Sequence, residues 1–218
     1  ISQQERVKEI AKQQWKRHFD DRLGLGEVEI LRYSERNPNT TLPVTEKLLD
    51  DKPEHIVPRE NFDYDAYEAA GFKEEIPQNL YDYGEVYNLC IGKGTLTPEE
   101  RYKINEHVIM SIKMLESIPF PKELSRVAEY AGTHHETLIG TGYPRQLKSE
   151  DLSIPARIMA IADIFEALTA SDRPYKKAKT LSTSIKIMSL MVKDQHIDAE
   201  LFKLFLSSGV YKAYANKY

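Results

Sequence analysis

The sequence predicts an all-α protein, a helical bundle preceded by a mostly irregular segment. After residue 86, apolar residues recur at helical spacing along most of the chain. That half contains no strand-like alternation, internal repeat or low-complexity tract. Residues 20–85, in contrast, contain five prolines and sustain neither a helical nor a strand period. We therefore divide the chain into an N-terminal region, residues 1–85, and a helical core, residues 86–218.

The N-terminal region opens with a predicted helix over residues 3–19, in which Val7, Ile10 and Trp15 lie at near-helical spacing. A long irregular stretch such as the one that follows is unusual inside a compact domain. We interpret residues 20–85 as an insertion with short helical turns that packs on a core formed elsewhere in the chain.

The helical core begins at Thr97-Pro98-Glu99-Glu100, a capping box with proline at the first helical position. The helix that follows has one face composed of Ile104, Val108, Ser111, Ile112, Leu115 and Ile118. Pro119 and Pro121 interrupt this pattern. A second helix is predicted to end near Gly140, and its apolar stripe consists of Leu124, Val127, Ala128 and Ala131.

Three more helices are predicted in the C-terminal part. Pro155 opens a helix that is apolar nearly all round, a pattern that predicts a buried position at the centre of the bundle. Further helices cover residues 181–193 and 199–207. The last of them is capped by Asp198 and ends near Gly209.

Charge and cysteine content restrict the partners and the location. A net charge of −4 without a Lys/Arg-rich block excludes long DNA or RNA duplexes and leaves room for a small anionic ligand. The single cysteine, Cys90, lies in an apolar run and is predicted to be a buried structural residue. The absence of a disulfide within the chain, of an apolar run of ~20 residues and of a signal peptide predicts a cytoplasmic location. That location includes the cytoplasmic part of a larger, membrane-anchored sensor.

Four polar side chains fall on faces that are otherwise apolar. His107 lies angularly among core-facing positions of its helix, His134 and His135 continue the stripe of the second helix, and Asp163 interrupts the third. A buried carboxylate without a partner costs several kcal/mol, so its charge needs compensation. Three imidazoles and one carboxylate on successive core helices suggest a metal cation, and this ligand set suits iron, manganese, zinc or nickel.

Ordinary structural roles are the alternative for each of these residues. A core-facing histidine is often a hydrogen-bonded structural residue. Asp163 could cap a neighbouring helix or pair with Arg157 or Arg173. We interpret the remaining histidines, His18, His55 and His196, as surface or structural residues.

Three motifs connect these positions to a known family. Residues 134–144 read HHETLIGTGYP, residues 161–169 read IADIFEALT, and residues 171–176 read SDRPYK. In order and spacing they resemble the HHExxDGxGYP, ADxFDALT and SxRPYK motifs of HD-GYP domains. The resemblance is to the C-terminal part of such a domain and covers about residues 86–218.

The resemblance implies a helical bundle of the HD-GYP type that holds two or three divalent metal ions, often iron or manganese. It implies hydrolysis of a phosphodiester in the bacterial second messenger cyclic di-GMP. The implied metal ligands are His107, His134, His135 and Asp163. The implied substrate-binding residues are Tyr143, Arg173 and Lys176, and the motif residues are Glu136, Gly140, Gly142, Tyr143 and Pro144. Diguanylate cyclase (GGDEF) domains are implied partners through the Gly-Tyr-Pro loop.

Two features depart from the family pattern. The chain contains no His-Asp dipeptide, and Ile139 occupies the place of the motif aspartate. Because the chain begins at Ile1 rather than Met, we expect a fragment whose His-Asp pair lies upstream and which is inactive alone. A degenerate module that binds a nucleotide or a partner protein without catalysis is the alternative, and an HD-type phosphohydrolase for other nucleotides is a third. Missing helices would leave an apolar face uncovered, so we expect a homodimer, swapped packing or poor solubility.

Overall fold

The computed structural model of the chain describes residues 2–36, 41–170 and 179–217. Helices predominate in these ranges, and the strands are few and short. The predicted all-α class is therefore confirmed. None of the described helices is both long enough and apolar enough to cross a membrane.

Fourteen helices and strands follow one another along the described residues. In chain order they are α1 Gln3–Ala11, β1 Gln14–Arg17, α2 Glu27–Arg36, β2 Val44–Lys47, β3 Ile56–Pro58, α3 Tyr64–Ala69, β4 Asn79–Asp82, α4 Glu85–Leu89, α5 Pro98–Glu116, α6 Val127–Gly132, α7 Ile154–Thr169, α8 Leu181–Lys193, α9 Ala199–Ser208 and α10 Val210–Lys217. Short 3₁₀ turns cover Pro53–His55, Lys122–Leu124 and Ser149–Asp151.

The chain forms two compact units. Unit 1 comprises Ile1–Phe62 and Ile76–Ile104, and unit 2 comprises Asp63–Glu75 and Asn105–Tyr218. The division of the sequence at residue 85 stays a prediction about domains.

Unit 1 contains two small antiparallel pairs that the sequence did not predict. β1 pairs with β2, and β3 pairs with β4. Arg17 of β1 is buried, and its Nε donates to Glu46 Oε1 of β2 at 2.9 Å. The N-terminal helix ends at Ala11 rather than at residue 19, because the residues after it pair with a strand far along the chain. Local periodicity does not reveal such a partner.

Unit 2 is built around α7. This helix packs against α6, α8 and α9, and the centre of the core consists of Ile161, Phe165, Met188, Ile197 and Phe202. Asp198 caps α9 by accepting from the backbone N–H groups of Glu200 and Leu201 at 3.0 and 3.1 Å. Gly209 ends the helix in a left-handed conformation, so the predicted cap and stop are confirmed.

The capping box of α5 is also confirmed, while its predicted apolar face is only half right. Thr97 and Glu100 exchange side chain-to-backbone hydrogen bonds at 2.9 and 3.2 Å. Val108 and Ile112 are buried, but Ile104 is 53% exposed because the buried face is centred elsewhere on the helix.

Three further expectations about burial and helix ends were wrong. The second helix ends at Gly132, well before Gly140, because the chain turns there to place the residues that follow. α7 is not buried all round: Ile154 is 62% exposed, since only one face of the helix packs on the described core. Cys90 is half-buried rather than fully buried.

Candidate metal centre

A close approach between α5 and the end of α6 brings three histidines together. His107 lies on α5, and His134 and His135 lie in the turn that follows α6. Gly132 ends α6, and a Cβ there would lie 2.4 Å from Ile112 Cγ1. Glycine therefore lets the end of α6 lie against α5 without displacing the buried Ile112 side chain.

The three imidazole rings form a compact group. The ring centroids of His134 and His135 are 4.1 Å apart, and that of His107 lies 5.2 Å from His135 and 6.0 Å from His134. One ligand atom from each ring lies within 4.8 Å of the other two. His107 is exposed, contrary to its predicted core-facing position, because the side of α5 that carries it is not covered by described residues.

The hydrogen bond of His134 determines which ring nitrogen is available. Its Nδ1 lies 2.6 Å from the carbonyl oxygen of Ala131. A carbonyl oxygen only accepts, so Nδ1 carries the proton and Nε2 keeps a lone pair. This is the arrangement in which a backbone carbonyl orients a metal-binding histidine.

The charge state of His135 is set by its surroundings. Burial and the neighbouring His134 ring lower the pKa of His135 to about 4, against the opposing effect of Asp163. The ring is therefore neutral near pH 7, the form of imidazole that binds a cation. It stacks on Tyr143, with ring centroids 4.8 Å apart. Burial and, to a smaller degree, Glu74 and Asp163 raise the pKa of Tyr143 to about 12, so its hydroxyl stays protonated.

Glu136 supports the loop beside the histidines rather than pointing toward them. Its side chain is buried, with Oε1 accepting from Arg145 N at 2.8 Å and Oε2 accepting from Leu147 N at 2.9 Å. Burial raises the pKa of Glu136 in spite of these hydrogen bonds. The motif glutamate therefore positions the segment that follows Pro144.

Gly142 allows this loop to return onto its own beginning. A Cβ at residue 142 would lie 2.4 Å from Glu136 Cα and 2.5 Å from the carbonyl oxygen of His135. Both are backbone atoms, so the close contact could not be relieved by a side-chain movement. The next residue, Tyr143, donates its N–H to the same His135 carbonyl at 3.3 Å.

Asp63–Glu75, an earlier segment of unit 2, also contacts this loop. Lys73 N donates to the carbonyl oxygen of Pro144 at 2.8 Å, and Arg145 Nε donates to that of Ala70 at 3.1 Å. The Arg145 guanidinium also lies over the Phe72 ring, 5.2 Å from its centroid. Residues assigned to the insertion therefore help to shape the site.

Asp163, the fourth predicted ligand, lies near the histidines but outside their compact group. It is half-buried on α7, and its charge acts on both His135 and Tyr143. The predicted substrate-binding residues Arg173 and Lys176 lie outside the described residues. Ile139 is 46% exposed and forms an isolated bridge with Lys148.

Two site residues were missed by sequence reasoning. His196, interpreted from the sequence as a surface or structural residue, is half-buried and close enough to influence the pKa of His135. The charge of Glu74 contributes to the raised pKa of Tyr143. Glu74 Oε2 is buried without a hydrogen-bond partner among the described residues. Glu74 precedes the motifs and His196 follows them, each by many residues, so no local pattern marks either one.

The donor set suits a divalent cation. Nitrogen ligands that share one ion at about 2.1 Å lie up to about 4.2 Å apart, close to the 4.8 Å spread of the three histidines. Imidazole ligands favour transition metals over calcium or magnesium, which prefer oxygen ligands. The residues of the cluster therefore fit such an ion.

Comparison with known proteins agrees with this geometry. The HD domain family matches residues 43–201. The chain is 36% identical over 148 residues to 3'3'-cGAMP-specific phosphodiesterase 1 of Vibrio cholerae, covering 64% of this chain and 33% of that protein. It is 37% identical over 110 residues to a cyclic di-GMP phosphodiesterase of Thermotoga maritima, covering 49% of this chain and 29% of that protein.

A third relative, cyclic di-GMP phosphodiesterase PA4108 of Pseudomonas aeruginosa, is 34% identical over 119 residues, 54% of this chain and 28% of that protein. The chain thus spans about a third or less of the length of these relatives. Proteins of the HD family depend on metal ions, and the histidine cluster lies inside the matched range. The chain belongs to the HD domain family, as a domain of the HD-GYP type.

Proposed function

We propose that His107, His134 and His135, together with Asp163, hold divalent cations that serve the hydrolysis of a cyclic dinucleotide. The observation that carries this proposal is the spacing of the three histidine ligand atoms, all within 4.8 Å of one another. The names of the relatives support the substrate class, because they specify cyclic di-GMP or 3'3'-cGAMP.

The ligand set is consistent with iron or manganese. We propose that the intact site, with ligands beyond those of this chain, holds two or three such ions. When bound, such cations activate a water at neutral pH and neutralise charge on the phosphoryl oxygens. The chain's own residues do the positioning. Ala131 orients the His134 ring, and Tyr143 orients the His135 ring by stacking.

Substrate contacts are proposed for Tyr143, Arg173 and Lys176. The hydroxyl of Tyr143 remains a donor at neutral pH because its pKa is raised to about 12, chiefly by burial. Arginine suits a phosphate through its planar fork of donors, and lysine adds a point charge. The ring of Tyr143 stacks on His135 and therefore lies beside the proposed metal ligands.

The chain lacks a His-Asp dipeptide, so we propose that this segment alone hydrolyses cyclic dinucleotides slowly or not at all. A module that binds without catalysis is the second candidate. It is favoured by Ile139, an exposed apolar residue at the position of the motif carboxylate. Activity of a longer protein that carries the pair would separate the two candidates.

The exposed residues of unit 2 support two proposed partners, a second copy of the chain and a diguanylate cyclase domain. Several apolar side chains on α5 and α7 are exposed: Met110, Met114, Ile154, Ile158 and Met159. Exposed apolar residues in this number favour association, and a homodimer would cover them. Diguanylate cyclase domains are proposed to contact the Gly-Tyr-Pro loop, whose Thr141 is exposed.

A titration with metal tests the proposed centre. The metal-free chain is titrated with Mn²⁺ in a calorimeter, and His134→Ala and His135→Ala are compared with His18→Ala, which changes an exposed histidine of unit 1. We expect the first two to weaken Mn²⁺ binding by roughly 10- to 100-fold or more, because each removes a ligand. His18→Ala should bind like the unchanged chain.

Equal affinities for all the variants would contradict the proposed ligands.

Hydrolysis is then measured with cyclic di-GMP and 3'3'-cGAMP in the presence of Mn²⁺ or Fe²⁺. We expect the chain alone to fall below about 1 turnover per second, which is slow for an enzyme. Faster turnover would contradict the proposed need for further groups.

A further inference from the structure

Unit 1 contains a cavity of about 660 Å³ that shares no residue with the histidine cluster. It is bounded by α1, α4, the loop that follows α4, and the start of α5. Volumes of about 300–1,000 Å³ are typical of small-molecule sites. Its size therefore suits a ligand larger than an inorganic ion.

The walls of the cavity are held by hydrogen bonds within unit 1. Asp51 Oδ1 caps α4, accepting from Val86 N at 2.9 Å and from Tyr87 N at 3.1 Å. Gln4 Nε2 of α1 donates to the carbonyl oxygen of Cys90 at 2.7 Å and so joins α1 to the end of α4. The lining acid is thus already engaged in holding the fold.

The lining combines an apolar wall with three cations. Val86, Ile91 and Leu96 contribute apolar surface. The cations are Lys8, Lys93 and Arg101, all exposed. Lys8 lies one turn after Glu5, which offsets part of its charge.

Lys93 and Arg101 are the least compensated of these cations. Neither side chain forms an ion pair or a hydrogen bond with the described part of the chain. Asp51 is the single acid in the lining, and its Oδ1 already accepts two backbone N–H groups. The cavity therefore carries excess positive charge beside an apolar wall.

We propose that this cavity binds a small phosphomonoester with an aromatic or apolar body, of the nucleoside monophosphate class. A phosphate monoester carries about −1.5 to −2 charges at pH 7. It therefore matches two uncompensated cations better than a ligand with one carboxylate would. The guanidinium of Arg101 presents paired donors to phosphate oxygens. The apolar wall takes the body of the ligand, in the manner typical of small-molecule sites.

Cys90 provides a local probe of occupancy. It lines the cavity and is the single cysteine of the chain. The rate of its alkylation by iodoacetamide is measured with adenosine 5'-monophosphate, adenosine or inorganic phosphate at equal concentrations. We expect the monophosphate to slow alkylation at least threefold, and adenosine or phosphate to slow it much less.

Either of two results would overturn the proposal. The first is an unchanged rate in the monophosphate. The second is equal protection by adenosine or by inorganic phosphate, since the cations or the apolar wall would then contribute nothing. The same assay on urea-unfolded chain checks that the nucleotide does not react with or shield the reagent itself.

Charge variants locate the phosphate. In the Lys93→Gln/Arg101→Gln double variant we expect at least a tenfold higher concentration of monophosphate for half-maximal protection. Lys16→Gln is the matched control, because Lys16 is exposed in the same unit and does not line the cavity. Circular dichroism checks the fold of each variant. Retained protection in the double variant, or an equal loss in Lys16→Gln, would contradict the site.

Discussion

The histidine cluster of unit 2 and the cavity of unit 1 hold their polar groups in opposite ways. Around the cluster, Glu136 is buried and accepts two backbone hydrogen bonds, and Tyr143 is stacked on His135. In the cavity, Lys93 and Arg101 are exposed and free of ion pairs within the described chain. The cluster is therefore preorganised, whereas ligand binding in the cavity has to order flexible side chains at a cost in entropy.

This difference predicts different sensitivities. The cluster should respond to changes in the backbone and in its buried supports. The cavity should respond to the charge of its lining and tolerate changes elsewhere. Substitutions in the two regions can test this contrast directly.

The largest effect is expected for Gly142→Ala. The new Cβ would lie 2.4 Å from Glu136 Cα, and because that atom belongs to the backbone no rotamer change relieves the contact. We expect a loss of about 3 kcal/mol or more in the free energy of unfolding, measured in urea. Weaker Mn²⁺ binding should accompany it, because the His135 carbonyl is displaced too.

Gly92→Ala in unit 1 is the matched control. The nearest atom to its new Cβ is the flexible end of Gln4, at 3.4 Å. We expect a change within about 0.5 kcal/mol. Similar losses for the two variants would show that the close approach at Gly142 has no special cost.

The next effect is expected for Glu136→Gln. An amide can accept only through one oxygen, so its NH₂ group faces a backbone donor, either Arg145 N or Leu147 N. A buried donor left without a partner costs about 1–3 kcal/mol. Urea unfolding of Glu136→Gln is compared with that of Glu123→Gln, an exposed residue of unit 2 that should be nearly neutral. Equal unfolding free energies would argue against a supporting role for Glu136.

The histidine motif could be read from the sequence because its members lie close together along the chain. His134, His135, Glu136 and Gly142 fall within nine positions, and the structure places them in one loop. The caps at Thr97 and Asp198 are equally local. Helix propensity and capping act over a few residues, so local patterns were sufficient for them.

Features that depend on distant partners could not be read in this way. The pairing of β1 with β2 joins segments separated by the whole of α2, and Trp15 in β1 fits a helical period as well as a strand. Glu74 and His196 reach the surroundings of the site only through tertiary packing. The lining of the unit 1 cavity comes from three separated stretches, and its lysines look like ordinary surface charges in the sequence.

The smallest effect distinguishes two arginines, Arg157 of unit 2 and Arg101 of unit 1. Arg157 donates to Asp198 Oδ2 at 2.8 Å and to the carbonyl oxygen of Leu152 at 3.0 Å, while Arg101 has no such partner among the described residues. We expect Arg157→Gln to lower the free energy of unfolding by about 1–2 kcal/mol at pH 7, and Arg101→Gln to leave it within about 0.5 kcal/mol.

The pH dependence of this loss sharpens the test. Burial alone would raise the pKa of Asp198, but the Leu201 N–H and the Arg157 guanidinium outweigh it and hold that pKa below its usual value. A carboxyl whose pKa is lowered by folding stabilises the protein above its unfolded pKa, and that stabilisation disappears as the pH falls through its folded pKa. The difference between Arg157→Gln and the unchanged chain should therefore shrink below about pH 4, in urea unfolding followed from pH 7 to pH 2.5. A difference that persists undiminished at low pH would assign the role of Arg157 to its backbone contacts rather than to the ion pair. Arg101→Gln should show no such trend, since a charge without a partner has no pairing energy to lose.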